Sequence, residues 1–268
     1  MSDTDHLLLI DAGNTRIKWA VWTRSTSAWS QRGAAETRAF VAAPNGATGL
    51  SSVFASVGRV VVSNVAGADV ETRLRGIAGV VPLHTILATA SCGGVENRYD
   101  DVAQLGTDRF AALIGANGIV ELAGKAKLVV VTGTAVTVDA LTAGGVFLGG
   151  AILPGPDMMR RVLNRETAQL PLSGAGGPSD AFPGNTNNAI AAGISEALAG
   201  AVMIGAQRLA RQTTPPAEVG LVVSGGAATG LVAALACYAP SLAAAITMRE
   251  HLVLEGLRLI ACSSPSND

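Results

Sequence analysis

The chain has 268 residues, enough for one large domain or two modest ones with a substantial core. Its 19 Lys and Arg against 20 Asp and Glu leave a formal charge of −1, and no basic run exceeds a pair, so the electrostatic footprint of a nucleic-acid binder is missing. Hydrophobic residues make up 49% and charged residues only 15%, which predicts abundant apolar surface, part of it covered by another subunit of an oligomer.

The N-terminus Met1 to His6 is acidic and lacks the basic segment and cleavage site of a secretory signal. An apolar strand, Leu7 to Ile10, then runs into Asp11-Ala12-Gly13-Asn14-Thr15, and a second strand follows over Arg16 to Trp22. Such a turn can hold a phosphate: Gly13 admits backbone N–H groups to an anion, Asn14 and Thr15 offer donors, and Asp11 can orient a hydrated Mg²⁺. Asn and Gly equally favour an ordinary hairpin, and both readings stand at this point. Val60-Val61-Val62-Ser63-Asn64-Val65-Ala66-Gly67 reads as another buried strand and turn. Downstream of Tyr99, Gly106-Thr107-Asp108-Arg109 leads into the apolar helix Phe110 to Ile114. Asp108 there suits a helix cap, and beside Arg109 it also suits a proton acceptor next to an anion-binding cation.

A polar junction, Ala123-Gly124-Lys125-Ala126-Lys127, divides a first unit, 1–122, from a second, 123–268. The second unit opens with the strand Leu128 to Val131 and the turn Thr132-Gly133-Thr134-Ala135, which resembles the first turn with Val131 in the place of Asp11 and Thr134 in that of Asn14. Gly149-Gly150-Ala151-Ile152-Leu153-Pro154-Gly155-Pro156 closes a strand, Asp157 to Leu170 has the charge pattern of an exposed helix, and a Pro-, Gly- and Ser-rich loop extends to Asn185. Thr186 to Leu209 reads as a long helix whose Gly193, Gly200 and Gly205 permit close packing. Leu221-Val222-Val223-Ser224-Gly225-Gly226 repeats the strand and turn at Val60 to Gly67. Two strand-turn pairs in the same order predict one duplicated α/β unit, with chance likeness between Val-rich strands as the alternative.

The apolar stretches 128–153 and 219–248 are broken by Asp139 and by glycine, serine and proline, so both read as buried sheet and helix rather than membrane spans. Cys92, Cys237 and Cys262 have neither disulfide nor zinc-site spacing. The whole reads as a soluble cytoplasmic protein whose tail, Ser263 to Asp268, is disordered.

Asp11-Ala12-Gly13-Asn14-Thr15, Gly106-Thr107-Asp108-Arg109, Thr132-Gly133-Thr134-Ala135 and Gly184-Asn185-Thr186 occur in the order seen in type III pantothenate kinases, and the likeness spans nearly the whole chain. The resemblance implies an α/β fold of two duplicated ribonuclease-H-like units, the actin-like ATPase fold, with ATP in the inter-domain cleft, and assembly as a homodimer with the substrate pocket near the interface. It places Asp11, Ala12, Gly13, Asn14, Thr15, Arg16, Ile17 and Lys18 in the first phosphate loop, with Mg²⁺ near Asp11, and Thr134 in the second. It makes Gly106, Thr107, Asp108 and Arg109 the pantothenate motif, with Asp108 the proton acceptor, and Tyr99 and Thr186 further substrate contacts. Ser224-Gly225-Gly226 resembles the adenosine-side turn. Many family members carry an acidic residue tied to a bound K⁺ or NH₄⁺ where this chain has Val131, so the monovalent-cation requirement is in doubt. The loop reads Pro183-Gly184-Asn185-Thr186 where a lysine is common before the Asn-Thr pair. Two other readings share this scaffold: a non-catalytic regulatory accessory protein of the same family, and a kinase of the superfamily with a different small acceptor.

Overall fold

The computed structural model describes residues 5–43, 49–174, 176–179, 181–212 and 219–263. The chain forms two compact units, Met1–Gly118 together with Leu252–Asp268, and Ile119–His251. The first is organised around β1 (His6–Ala12), in which Leu7, Leu8, Leu9 and Ile10 are all fully buried. A strand buried on both faces needs partners on both edges and cover on both sides. The edges are met by β2 (Arg16–Thr23), antiparallel to β1 and followed by antiparallel β3 (Ala28–Glu36), and by β4 (Arg59–Asn64), parallel to β1. One face is covered by α1 (Thr37–Ala42), α2 (Leu50–Phe54) and α3 (Ala68–Ala78), which bring Phe40, Leu50, Phe54, Val70 and Leu74 onto Leu8, Ile10, Val60 and Val62. β5 (Leu83–Thr85) pairs parallel with β4, completing the order β3-β2-β1-β4-β5. A short hairpin of β6 (Ser91–Cys92) and β7 (Val95–Asn97) precedes α4 (Thr107–Asn117).

The second unit repeats this plan. β8 (Lys127–Thr132) pairs antiparallel with β9 (Ala135–Leu141), and β9 pairs antiparallel with β10 (Val146–Pro154). After α5 (Pro156–Glu166) and α6 (Thr186–Gln212), β11 (Gly220–Ser224) returns parallel to β8. α7 (Ala228–Tyr238) and α8 (Pro240–Ala243) then lead to β12 (Ile246–Met248), parallel to β11. The run β10-β9-β8-β11-β12 therefore matches β3-β2-β1-β4-β5 strand for strand and direction for direction, the relation expected of a duplicated α/β unit.

α6 is long and apolar enough to cross a membrane by length and composition, a test that neither stretch considered from the sequence meets. Here it is a core helix, with Ile190, Ile194, Leu198 and Val202 packed on Leu128, Val130, Val136 and Val138. Of its three singled-out glycines only Gly205 meets the sheet: a Cβ there would lie 3.0 Å from the Val138 side chain, whereas Gly193 and Gly200 face open space.

The division differs from the contiguous halves 1–122 and 123–268 in two respects: the first boundary falls after Gly118, and the last helix changes sides. α9 (Leu252–Ser263), which the sequence groups with the second unit, packs in the first, against α4 and the sheet strands β1 and β4. The reason is steric: a Cβ on Gly256 would stand 1.8 Å from the Ala111 carbonyl oxygen, and one on Gly115 would stand 2.5 Å from that of Leu252. The two backbones meet at a distance only glycine permits, and this long-range pairing leaves no local signature. Residues 264–268 of the tail expected to be disordered lie outside the described residues, and Ser263 ends α9.

Candidate functional site

In the first unit the Asp11 to Lys18 run is a turn braced from one side by Thr37, the first residue of α1. The Gly13 N–H donates to the Arg16 carbonyl (3.1 Å), the Thr37 hydroxyl donates to the Gly13 carbonyl (2.7 Å), and the Thr37 N–H donates to the Thr15 carbonyl (3.0 Å). This leaves Asn14, Thr15 and Arg16 exposed at the tip. Ala12 and Ile17 are fully buried core residues, so only their backbone can meet an anion. Asp11 ends β1 opposite Lys18 on β2 and opposite Ser63 on β4. Burial pushes its carboxyl up to about 6; Lys18 opposes the shift and the negative charge of Asp108 adds to it. The geometry agrees: Ser63, the register partner of Asp11, has its Oγ 2.9 Å from the Oγ1 of Thr107, the residue before Asp108.

Asp108 reaches that place from the start of α4, where it is the second helical residue rather than the cap; the cap is Gly106, which has no side chain with which to cap the helix. The Asp108 Oδ1 accepts from the Arg109 N–H at 2.8 Å, and a Cβ on Gly106 would lie 2.7 Å from that same oxygen. Gly106 is therefore needed for this carboxylate orientation. Arg109 is only 6% exposed. Its Nη1 donates to the Tyr99 hydroxyl (2.9 Å), and its guanidinium carbon lies 5.5 Å from the Tyr99 ring centroid, a cation-π contact. The buried Asn97 holds the Tyr99 loop, accepting from the Tyr99 N–H (3.1 Å) and donating to the Val102 carbonyl (3.1 Å). Asp11, Lys18, Tyr99 and Gly106 to Arg109 all belong to this unit.

Thr134 and Thr186 belong to the second. The Thr132 hydroxyl donates to the Ser224 carbonyl (3.0 Å), the Gly133 N–H to the Ala135 carbonyl (2.8 Å), and the Gly155 N–H to the Thr134 carbonyl (2.8 Å). Gly225 has φ +106°, and a Cβ there would sit 2.0 Å from the Thr132 carbonyl oxygen, so the Ser224 to Gly226 turn lies directly against the Thr132 to Thr134 turn. Val131 faces Thr137 across the β8–β9 ladder, and the buried Thr137 hydroxyl has no hydrogen-bond partner. Thr186 starts α6 at the rim of an apolar groove lined by Pro154, Met159, Leu163, Ile190 and Ile194.

Two contributors escape a reading of the motifs alone. Ser63, fully buried at the end of β4, places its Oγ 2.9 Å from the Thr107 Oγ1, and Thr37 holds the first turn as described. Ser63 was visible as a strand-end position in the repeat, but its partner was not.

Among the described residues no cluster of three or more His, Cys, Asp or Glu side chains is built to hold a metal. A part-buried carboxylate with raised proton affinity fits Mg²⁺, which takes one or two carboxylates and fills its other positions with phosphate and water. Because the folded-state value of about 6 lies above the ordinary 3.8, Asp11 favours folding at low pH and opposes it progressively as pH rises through about 6. With solvent screening of its part-exposed carboxylate, the effect is about 1–2 kcal/mol. In denaturant titrations without divalent ions, Asp11→Asn should match the natural chain near pH 4 and exceed its stability at pH 8; equal pH dependence of the two chains would contradict this origin.

A family model described as type III pantothenate kinase matches residues 7–208. A type III pantothenate kinase of Aromatoleum aromaticum (strain DSM 19018 / LMG 30748 / EbN1) is 44% identical over 260 residues, covering 95% of this chain and 97% of the relative. One of Janthinobacterium sp. (strain Marseille) is 40% identical over 277 residues, with the same coverage. Among solved structures, a conserved Campylobacter jejuni protein described as a candidate Baf family transcriptional activator aligns with a TM-score of 0.59 at 19% identity, over 95% of this chain and 97% of the other. A candidate 2-dehydro-3-deoxygalactonokinase from Sinorhizobium meliloti aligns with a TM-score of 0.55 at 17% identity, over 95% and 98%. These two share the fold, the two-unit α/β arrangement of actin-like ATPases and sugar kinases. With a family model covering most of its length and relatives at 40% identity or above over nearly all of it, the chain belongs to the type III pantothenate kinase family.

Proposed function

We propose that this chain transfers the γ-phosphoryl group of ATP to the primary hydroxyl of pantothenate, giving 4′-phosphopantothenate and ADP, the first step of coenzyme A biosynthesis, with Asp108 as the base. The observation that carries the assignment of the base is the gathering of Asp11 and Asp108 at one end of the first unit, linked through Ser63 and Thr107, in a member of this family. Asp108 accepts the hydroxyl proton as the oxygen attacks the γ-phosphorus and the bond to the ADP oxygen breaks. Catalysis then rests on alignment and charge, with no covalent phosphoenzyme.

The Asp11 to Lys18 turn binds phosphate through the exposed Asn14, Thr15 and Arg16 and the backbone of the rest, and Thr134 serves the same triphosphate. Ser224 to Gly226, packed against the Thr134 turn, suits the adenosine side. Asp11 holds Mg²⁺, which when bound offsets phosphate charge. Arg109, steadied by Tyr99, pairs with the pantothenate carboxylate, while Gly106, Thr107 and Thr186 complete the acceptor pocket. The protein works in the cytoplasm. Its second subunit covers the apolar groove of α5 and α6, a reading supported by the exposure of Val162 on the groove wall and of Ile152, Leu172 and Phe182 elsewhere on the second unit. At the place of the family's cation-linked carboxylate, Val131 and Thr137 supply one neutral hydroxyl, which supports catalysis without K⁺ or NH₄⁺.

Asp108→Asn should lower kcat with pantothenate and ATP by about 10²–10⁴-fold. ADP release at the natural rate by that variant would remove Asp108 as base. Replacing K⁺ by Na⁺ should leave turnover within about two-fold, and a large loss would restore the cation requirement. Val162→Asp should shift the sedimentation equilibrium from dimer to monomer; an undisturbed dimer would place the interface elsewhere.

A further inference from the structure

We infer that Ser63 is a positioning residue for the phosphoryl transfer: its hydroxyl, locked to that of Thr107, sets where Asp108 stands relative to Asp11. The inference rests on the reading of Asp108 as base. Ser63 is fully buried, and its Oγ lies 2.9 Å from the Thr107 Oγ1. On the parallel ladder Ser63 is the register partner of Asp11, so both side chains leave the sheet on the same side at the same end. Thr107 is the first residue of α4 and adjoins Asp108. One hydroxyl pair thus joins the strand beside Asp11 to the first turn of the helix that carries Asp108.

Arg109, held by Tyr99, anchors that turn at its third residue, and the Ser63–Thr107 pair is the side-chain tie at its first. Gly106 provides no side-chain cap, and the Asp108 carboxylate closes only onto the N–H of its own neighbour, Arg109. A helix start without a capping side chain frays readily. Removing the Ser63 hydroxyl leaves the Thr107 hydroxyl without this partner and frees the first turn to shift. A displacement of about 1 Å at a reacting group can cost up to about 100-fold in rate even when binding survives. Ser63 itself is too deeply buried to meet either substrate; any effect through Thr107 on pantothenate binding falls in KM for pantothenate, while the effect on kcat passes through the adjoining Asp108.

The test compares Ser63→Ala, Ser63→Thr and Ser63→Val in the full chain, since Thr and Val share a shape and differ in the hydroxyl. Ser63→Ala and Ser63→Val should lose about 10-fold in kcat with KM for ATP within about two-fold of the natural value, and Ser63→Thr should recover most of the loss. Added to Asp108→Asn, Ser63→Ala should cost nothing further, because the group it positions is already gone. A purely structural serine would instead give the same fold-loss in both backgrounds, or equal kcat for the Thr and Val variants, and either result overturns the inference. Should the bulkier pair fail to fold, Ser63→Ala with and without Asp108→Asn decides alone. If Asp108→Asn keeps the natural rate, the base assignment fails and this inference with it. If Asp108→Asn is inactive while Ser63→Ala is unimpaired, only the role of Ser63 falls.

Discussion

The carboxylate of Asp11, held partly out of water at the end of a strand buried on both faces, is the constraint around which the first unit is arranged. Apolar residues on each side of β1 force cover from helices on both faces of the sheet, and that cover withdraws solvent from whatever polar group ends the strand. The result is an acid whose negative form is costly until a cation reaches it, with a second acid brought up beside it by α4. On the proposed reading, a cation at Asp11 would offset that cost while Asp108 takes the hydroxyl proton, so charge and position would both be set by the fold before reaction.

Duplication explains why the second unit has a turn at the corresponding place, and the two copies differ in how that turn is held. The sheet orders match strand for strand, yet Val131 stands where Asp11 stands in the other copy. The first turn is fixed by a threonine from a following helix. The second is fixed by the close approach of Gly225 to Thr132 and by the Gly155 N–H on Thr134, so its backbone is set by neighbouring turns of its own unit. The same scaffold thus keeps the glycine turn twice and the carboxylate once.

Much of this was legible in the amino-acid order. β1, β4, β8 and β11 stand out as Val- and Leu-rich runs ending in glycine turns; α5 and α6 begin within a residue of their expected starts, α5 stopping several residues short of Leu170 and α6 running a turn beyond Leu209. These features are local, and local chemistry is what a sequence displays. Asp108 reads naturally as a cap, but it is the second helical residue and the cap falls on Gly106. Gly193 and Gly200 read as packing positions, yet only Gly205 meets the sheet, since periodicity identifies a face without saying which turn of the helix touches it. The pairing of Ser63 with Thr107 and the docking of α9 join residues far apart in the chain, and no window of the sequence contains both partners.

The return of α9 to the first unit makes that unit discontinuous, with the whole second unit inserted between the helix α4 and its glycine-matched mate. A bulky side chain at Gly256 in the last described helix therefore strikes at the half of the molecule that begins the chain, far away in sequence.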